Sequence, residues 1–230
     1  MHIERLDFEN SPYLGVFGVA TDKVLLVREG LQEKKLNVLR EVLKVPIIET
    51  SIMKSRIVGI FAAGNSNAIV VPYYIWDTEL ERINAALREY GIDIRIEPFL
   101  SKLTALGNLI LANDKAALVS AKFTREEAKQ LEDILGVEVE RGIIAEFHAV
   151  GSVGVVTNKG GLVHPETTEE ELEWLRDLFK VDIYLGTANQ GVPFVGSCML
   201  ANSFGVVVGH LTTGPEIVKI EEALGFLGVR

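Results

Sequence analysis

Cys198 is the residue best suited to covalent chemistry, and it is the only cysteine among 230 residues. A thiolate with a histidine and a carboxylate nearby could attack an acyl or amidine carbon. His148, His164 and His210 could supply the base. The last two lie just beyond the second strand of a predicted hairpin, where polar residues are ordinary, and the sequence shows no acid–base pair. Cys198 therefore remains a candidate without a partner.

Other catalytic signatures do not occur in the sequence. It has no phosphate-binding G-x-x-x-x-G-K-[ST], no H-E-x-x-H and no G-x-S-x-G. The glycines of VGSVGVVTNKGG, at 150–161, run into a predicted strand and open no helix, which argues against a dinucleotide loop. A lone cysteine also excludes an internal disulfide and an all-cysteine metal site, and it favours a reducing compartment. We predict no catalytic residue, no metal site, no cofactor and a cytoplasmic protein.

Three basic residues, Lys54, Arg56 and Lys102, stand out because the chain as a whole is acidic, with a formal net charge of −9. Nucleic-acid affinity depends mainly on Lys and Arg neutralising phosphates, so a broad RNA-binding surface is disfavoured. Each of the three precedes a glycine that recurs along the chain. They are candidates for a contact face.

The elements that position these residues come from an internal repeat. Five thirteen-residue segments align without a gap: GVFGVATDKVLLV from Gly15, GIFAAGNSNAIVV from Gly59, GNLILANDKAALV from Gly107, GSVGVVTNKGGLV from Gly151 and GSCMLANSFGVVV from Gly196. The seventh residue is always Thr or Asn and the last is always Val. The slot of Cys198 holds Phe17, Phe61, Leu109 and Val153 in the other copies, so it is predicted to be a core-facing strand position.

Each thirteen-residue segment predicts a β-hairpin, in which two apolar strands, the first starting at the glycine, are joined by a tight turn. An amphipathic helix follows, and then an alternating strand that begins the next copy. The alternating runs are 45–50, 92–97, 137–141 and 181–185. The run at 3–8 matches them but has no helix before it, while the fifth helix, ending near Gly225, has almost nothing after it. The two ends complement each other, which favours a closed ring over an open solenoid.

We therefore predict an α/β fold made of one domain over residues 1–230, with repeats of about 1–45, 46–92, 93–137, 138–181 and 182–230. Apolar residues make up 48% and charged residues 24%, which is sufficient for a buried core. The charged start of the chain and the lack of a long apolar run predict neither a secretory peptide nor a membrane span. In the ring, the repeated glycines should surround one end of the axis, next to Asn108, Ser152 and Ser197.

The chain resembles the translation initiation factor 6 family over essentially all five repeats. The likeness lies in four segments, Thr104–Asn108, Val156–Pro165, Gly186–Asn189 and Thr212–Glu216. Because the chain stops soon after the fifth helix, it looks like an archaeal member. The resemblance implies a pentein ring, which acts as a monomer and without catalysis.

The resemblance also implies a function. Members of the family bind the large ribosomal subunit, mainly through a ribosomal protein on its intersubunit face with limited rRNA contact, and prevent premature joining of the small subunit; a role in large-subunit maturation is also expected. By position, Arg56 and Asn108 match the family's docking surface. Gly107, Lys54, Lys102, Ser152 and Ser197 join them by repeat equivalence. The alternative is a pentein-fold enzyme that modifies guanidino groups through Cys198.

Overall fold

Five copies of one unit follow one another around a ring in the computed structural model, which describes residues 2–227. Each unit contains a short helix, a β-hairpin, a longer helix and a third strand. The hairpins pair Gly18–Ala20 with Leu25–Arg28, Ala63–Gly64 with Ala68–Pro72, Ile110–Ala112 with Ala116–Ser120, Gly154–Val156 with Gly161–Val163, and Met199–Ala201 with Val206–Gly209. The longer helices are Glu33–Leu43, Asp77–Glu89, Arg125–Leu135, Glu169–Phe179 and Gly214–Ala223.

A third strand completes each sheet and runs parallel to the second strand of the hairpin. These strands are Ile47–Thr50, Arg95–Phe99, Glu138–Gly142, Ile183–Leu185 and, for the fifth unit, Ile3–Leu6. The amino-terminal strand thus pairs with the last hairpin, in the register Ile3 opposite Val206, and closes the ring. Closure satisfies the strand edge that an open array would expose. The predicted five-unit pentein ring is confirmed.

The prediction that the repeated glycines open the first hairpin strand is wrong. They lie in one-turn helices just before that strand: Leu14–Val16, Val58–Phe61, Leu106–Leu109, Val150–Val153 and Val195–Cys198. The first residue of each turn is buried. Apolar residues on both sides of the glycine at a spacing of three are typical of a helical turn, and this spacing was the missed signal.

The central strand of each sheet is covered on both sides, which explains its continuous apolar sequence. Side chains of a strand alternate between faces. In the first unit, Leu25 and Val27 pack with the helix of their own unit, whereas Leu26 packs into the core that contains the helix of the second unit. Each sheet therefore lies between two helices, and the core is divided into five clusters around the ring.

Where it is Asn, the seventh residue of the repeat joins neighbouring units. Asn113 Nδ2 donates hydrogen bonds to the carbonyl oxygens of Thr157 and Phe179 in the next unit, both at 3.1 Å. Asn65 and Asn202 make the equivalent pair of bonds across their own boundaries. The Asn side chain at this position therefore both closes its own turn and satisfies carbonyl groups of the following unit.

Side chains close one end of the ring axis, at the hairpin turns. Asn158 Nδ2 donates to Asp22 Oδ2 at 2.8 Å and to Asp114 Oδ2 at 2.6 Å. Ser66 and Ser203 donate to the same two carboxylates. Because Asp22 and Asp114 belong to units on either side of the axis, this network spans it. We call this the turn end and the opposite one, where the short helices lie, the glycine end.

None of the helices described between residues 2 and 227 is long and apolar enough to cross a membrane.

A candidate docking face at the glycine end

The repeated glycines meet around the axis and determine how closely the units approach. A Cβ added to Gly107 would overlap the carbonyl oxygen of Gly59, and a Cβ on Gly59 would overlap that of Gly15. The same relation continues through Gly151 and Gly196 back to Gly15. Only glycine permits this backbone contact. The result is close packing of the five units around the axis, with a cavity of about 110 Å³ on it.

The small polar residues next to the glycines differ in exposure. Asn108 and Ser197 are partly exposed and line the axial cavity. Ser152 is only 9% exposed, and its hydroxyl donates to Asn108 Oδ1 at 3.0 Å. Ser152 therefore orients the Asn108 amide, and the structure does not present it as part of an open surface.

Lys54 lies in a two-residue turn in which both central residues, Met53 and Lys54, have positive φ of 54° and 58°. The Glu79 carboxylate stabilises this strained turn by accepting from the N–H groups of Met53 and Lys54, each at 2.8 Å. Burial alone would raise the pKa of the Glu79 carboxyl, but hydrogen bonds from Ser51 and the backbone lower it below its ordinary value. The Lys54 ammonium then lies 3.7 Å from the centre of the Trp76 ring.

This turn recurs in the first and fourth units as antiparallel bridges at 8–11 and 144–147, and with one more residue in the fifth unit at 188–192. Glu171 and Glu216 accept backbone N–H groups there, as Glu79 does in the second unit. Each of these glutamates occupies the third position of its helix and also accepts the N–H of the capping residue. One carboxylate thus holds both the helix start and the loop at the glycine end.

Arg56 follows the same turn and has an exposed side chain. Its guanidinium is 3.7 Å from Glu9 of the first unit, which Arg28 holds more closely at 2.7 Å. Glu9 therefore keeps a partner when Arg56 moves. Lys102 is exposed in the corresponding loop of the third unit, which lacks the positive-φ turn and is held instead by a 2.7 Å bond from Ser101 to Glu127.

The structure places the seven predicted residues at the glycine end, because the loops with Lys54, Arg56 and Lys102 lead directly into its short helices. Asn108 and Ser152 are in direct contact, and Gly107 is part of the glycine ring. Sequence reasoning missed the exposed aromatic residues on this end, Tyr73, Tyr74 and Trp76. The signal was available, since the tyrosines stand where other units have Glu29-Gly30 or Ala121-Lys122.

Cys198 is fully buried at the end of a short helix, where a strand position was predicted. Burial raises the pKa of the thiol to about 11, although a hydrogen bond with Asn189 lowers it and the Glu216 charge raises it further. A reactive thiolate requires the opposite environment. His164 is also buried, and its Nδ1 accepts from the Glu166 N–H at 3.1 Å. Within residues 2–227, no three His, Cys, Asp or Glu side chains are grouped to hold a metal ion.

Comparison with known proteins decides the family. A family model described as "eIF-6 family" matches residues 3–223. The chain belongs to the eIF-6 family. Translation initiation factor 6 of Thermococcus onnurineus is 84% identical over 99% of this chain and 100% of its own length. The Pyrococcus abyssi protein of that name is 79% identical with the same coverage, and the Methanocaldococcus jannaschii one is 46% identical over 98% of this chain and 99% of its own.

These relatives confirm the predicted membership of the eIF-6 family in its archaeal form. The name that they share describes a translation factor, and the chain has that role in protein biosynthesis. It is the name of a factor and not of an enzyme.

Solved structures of enzymes are more distant from this eIF-6 family member. A dimethylarginine dimethylaminohydrolase, solved as an adduct with S-methyl-L-thiocitrulline, matches with a TM-score of 0.49 and 12% identity over 75% of this chain and 68% of its own. An agmatine deiminase of C. jejuni has a TM-score of 0.37 and 15% identity over 55% of this chain and 49% of its own. Likeness of this degree carries no argument on activity.

Proposed function

We propose that the protein binds the large ribosomal subunit with the glycine end of its ring and thereby prevents the small subunit from joining. The observation that carries the proposal is the match to the eIF-6 family over residues 3–223, together with three exposed cations, Lys54, Arg56 and Lys102, in loops at one end of an acidic ring. In this proposal the three cations contact the partner at the edge of the interface. Gly107, Asn108 and Ser197 form the centre of the contact, and Ser152 positions Asn108.

The size of the axial cavity argues against a small-molecule site on the axis. Pockets that bind small molecules usually measure about 300–1,000 Å³. The axial cavity, at about 110 Å³, is well below that range, and backbone groups of the glycine ring make up much of its wall. A surface without a deep pocket is better suited to contact with a macromolecule than to binding a small molecule.

The charge of the whole chain bears on what it contacts. A net charge of −9 opposes a broad approach to phosphates, and cations are gathered at the loops of the second and third units. We therefore propose that the main contact is a ribosomal protein on the intersubunit face, with rRNA contact limited to the cationic loops. The factor acts as a cytoplasmic monomer whose single domain spans the chain, with a further role in large-subunit maturation.

The mechanism is steric. A ring bound to the intersubunit face occupies surface that the small subunit needs, so its release controls subunit joining. No chemical step is required, and affinity is set by the contact itself.

Reversal of one charge tests the docking face. Arg56→Glu should weaken co-sedimentation with purified large subunits by about tenfold, since an exposed interface cation is replaced by a repelled anion. The fold should persist because Glu9 keeps its closer ion pair with Arg28. Arg88→Glu, an equally large change on an exposed helix position, is the matched control. Equal sedimentation of both variants with the wild type would remove Arg56 from the docking face.

A further inference from the structure

A groove lies at the outer edge of the glycine end, between the second and third units. Its volume is about 660 Å³. Residues from three loops and from the start of the Arg125–Leu135 helix line it: Tyr74, Leu100, Ser101, Lys102, Leu103, Lys122, Thr124 and Glu127. We call it the Tyr74–Leu100 groove. It is larger than the axial cavity and falls within the usual size of a binding pocket.

The walls of the groove are apolar and open to solvent. Leu100 is 62% exposed and Tyr74 61%. Tyr73 packs against Tyr74 edge-to-face, with ring centres 5.9 Å apart, and is itself 57% exposed. Adjacent large apolar side chains at this exposure are typical of surfaces that another molecule covers. Aromatic residues in particular are enriched at the centres of protein interfaces.

The charge available at the groove is positive. Glu127 lies in the lining, but its carboxylate accepts from Ser101 Oγ at 2.7 Å and from the Thr124 N–H at 2.8 Å. Lys102 and Lys122 are exposed, and their ammonium groups make no hydrogen bond or ion pair with any residue from 2 to 227. The carboxylate is thus committed to the fold, and the two ammonium groups at the rim are available to a partner.

We propose that the Tyr74–Leu100 groove binds a short protein segment that carries both apolar side chains and carboxylates. An apolar side chain would fill the space between Tyr74, Leu100 and Leu103, and carboxylates would pair with the rim lysines. The lining holds one tyrosine, two leucines and two lysines, which favours a peptide over single-stranded nucleic acid, since the latter needs a series of stacking planes and a longer cationic track. The inference goes beyond subunit docking, although Lys102 would serve in both.

Fluorescence anisotropy with the full chain tests this proposal. The probes are a labelled peptide with leucine and phenylalanine flanked by aspartates, the same peptide with lysines in place of the aspartates, and labelled single-stranded poly(U). We expect saturable binding of the acidic peptide and much weaker binding of the other two. No saturable binding of the acidic peptide would overturn the proposal, and preferential binding of poly(U) would replace it with a nucleic-acid site.

Matched variants locate the binding. Leu100→Ser and Lys122→Glu should each weaken binding of the acidic peptide about tenfold. The first variant loses an apolar contact, and the second reverses a charge that would pair with a carboxylate. Val218→Ser and Lys219→Glu are the controls, because Val218 is 56% exposed and both lie on the helix of the fifth unit. If these controls weaken binding as much as the groove variants, the groove is not the site.

Subunit binding separates this proposal from the proposed function. Leu100→Ser and Lys122→Glu change neither the central glycine ring nor Arg56, so both variants should co-sediment with large subunits like the wild type. Loss of peptide binding with subunit binding intact supports a separate groove site. If wild-type protein binds the peptide but no ribosomal subunit, the docking proposal fails and the groove stands.

Discussion

Asn113→Thr should destabilise the ring by removing contacts between two units while leaving the hairpin turn intact. Thr21 and Thr157 show that threonine closes the same turn. Each hydroxyl accepts two backbone N–H groups of its own turn, at the positions equivalent to those that Asn113 Oδ1 accepts in the third unit. What threonine cannot do is reach the next unit with an amide. The carbonyl oxygens of Thr157 and Phe179 would each lose a buried hydrogen bond.

The size of the effect follows from those two acceptors. Leaving a buried acceptor without its partner costs about 1–3 kcal/mol. For two acceptors the loss should therefore be about 2–6 kcal/mol in the free energy of unfolding. With a slope of roughly 5 kcal/mol/M for a chain of this size, the midpoint in guanidinium chloride should fall by about 0.4–1.2 M. Asn65→Thr and Asn202→Thr remove equivalent pairs of bonds and should cost a similar amount.

Equilibrium unfolding followed by circular dichroism measures this difference. Asn84→Thr is the control: Asn84 lies in the Asp77–Glu89 helix, where Asn and Thr have similar helix propensities, and the change should stay within about 0.5 kcal/mol. If Asn113→Thr unfolds at the same denaturant concentration as Asn84→Thr, the hydrogen bonds between units contribute nothing measurable. The account of how the ring is held together would then be wrong.

Three further predictions concern the glycine ring and the cysteine. Gly107→Ala should destabilise the protein by at least about 3 kcal/mol in the same unfolding assay, because a Cβ would overlap backbone of the second unit, whereas Gly214→Ala meets nothing within 4 Å and should be nearly neutral. Native Cys198, with its pKa raised to about 11, should react with iodoacetamide at pH 8 at least about 100-fold more slowly than in unfolded chain; equal rates, measured by mass spectrometry, would show an accessible thiol. Because the folded pKa exceeds the unfolded one, the thiol's contribution to stability should decline as pH rises above about 9, and Cys198→Ala should lose that decline.

The ring could be predicted from the sequence because the residue pattern of its unit is local and occurs five times. Five ungapped segments and the helical spacing after each one define the unit, and the unmatched strand at 3–8 indicates closure. The structure adds that Ile3 pairs with Val206. Repetition also predicted the Cys198 slot correctly as buried, although it assigned the wrong element.

Contacts between units were beyond prediction because they join residues far apart in the chain. The sequence does not show that Asn158 reaches both Asp22 and Asp114, or that Ser152 turns its hydroxyl onto Asn108. Exposure is equally non-local. The Tyr74–Leu100 groove exists because loops of two units meet, and no spacing within one repeat signals it.

Subunit joining in the presence of the protein tests the central claim most directly. Purified large subunits are incubated with the wild-type chain, small subunits are added, and the mixture is separated on a sucrose gradient. The account predicts that the protein migrates with large subunits and that the joined particle is reduced in proportion to the protein bound. If the joined particle forms undiminished while the protein stays at the top of the gradient, docking through the glycine end is contradicted.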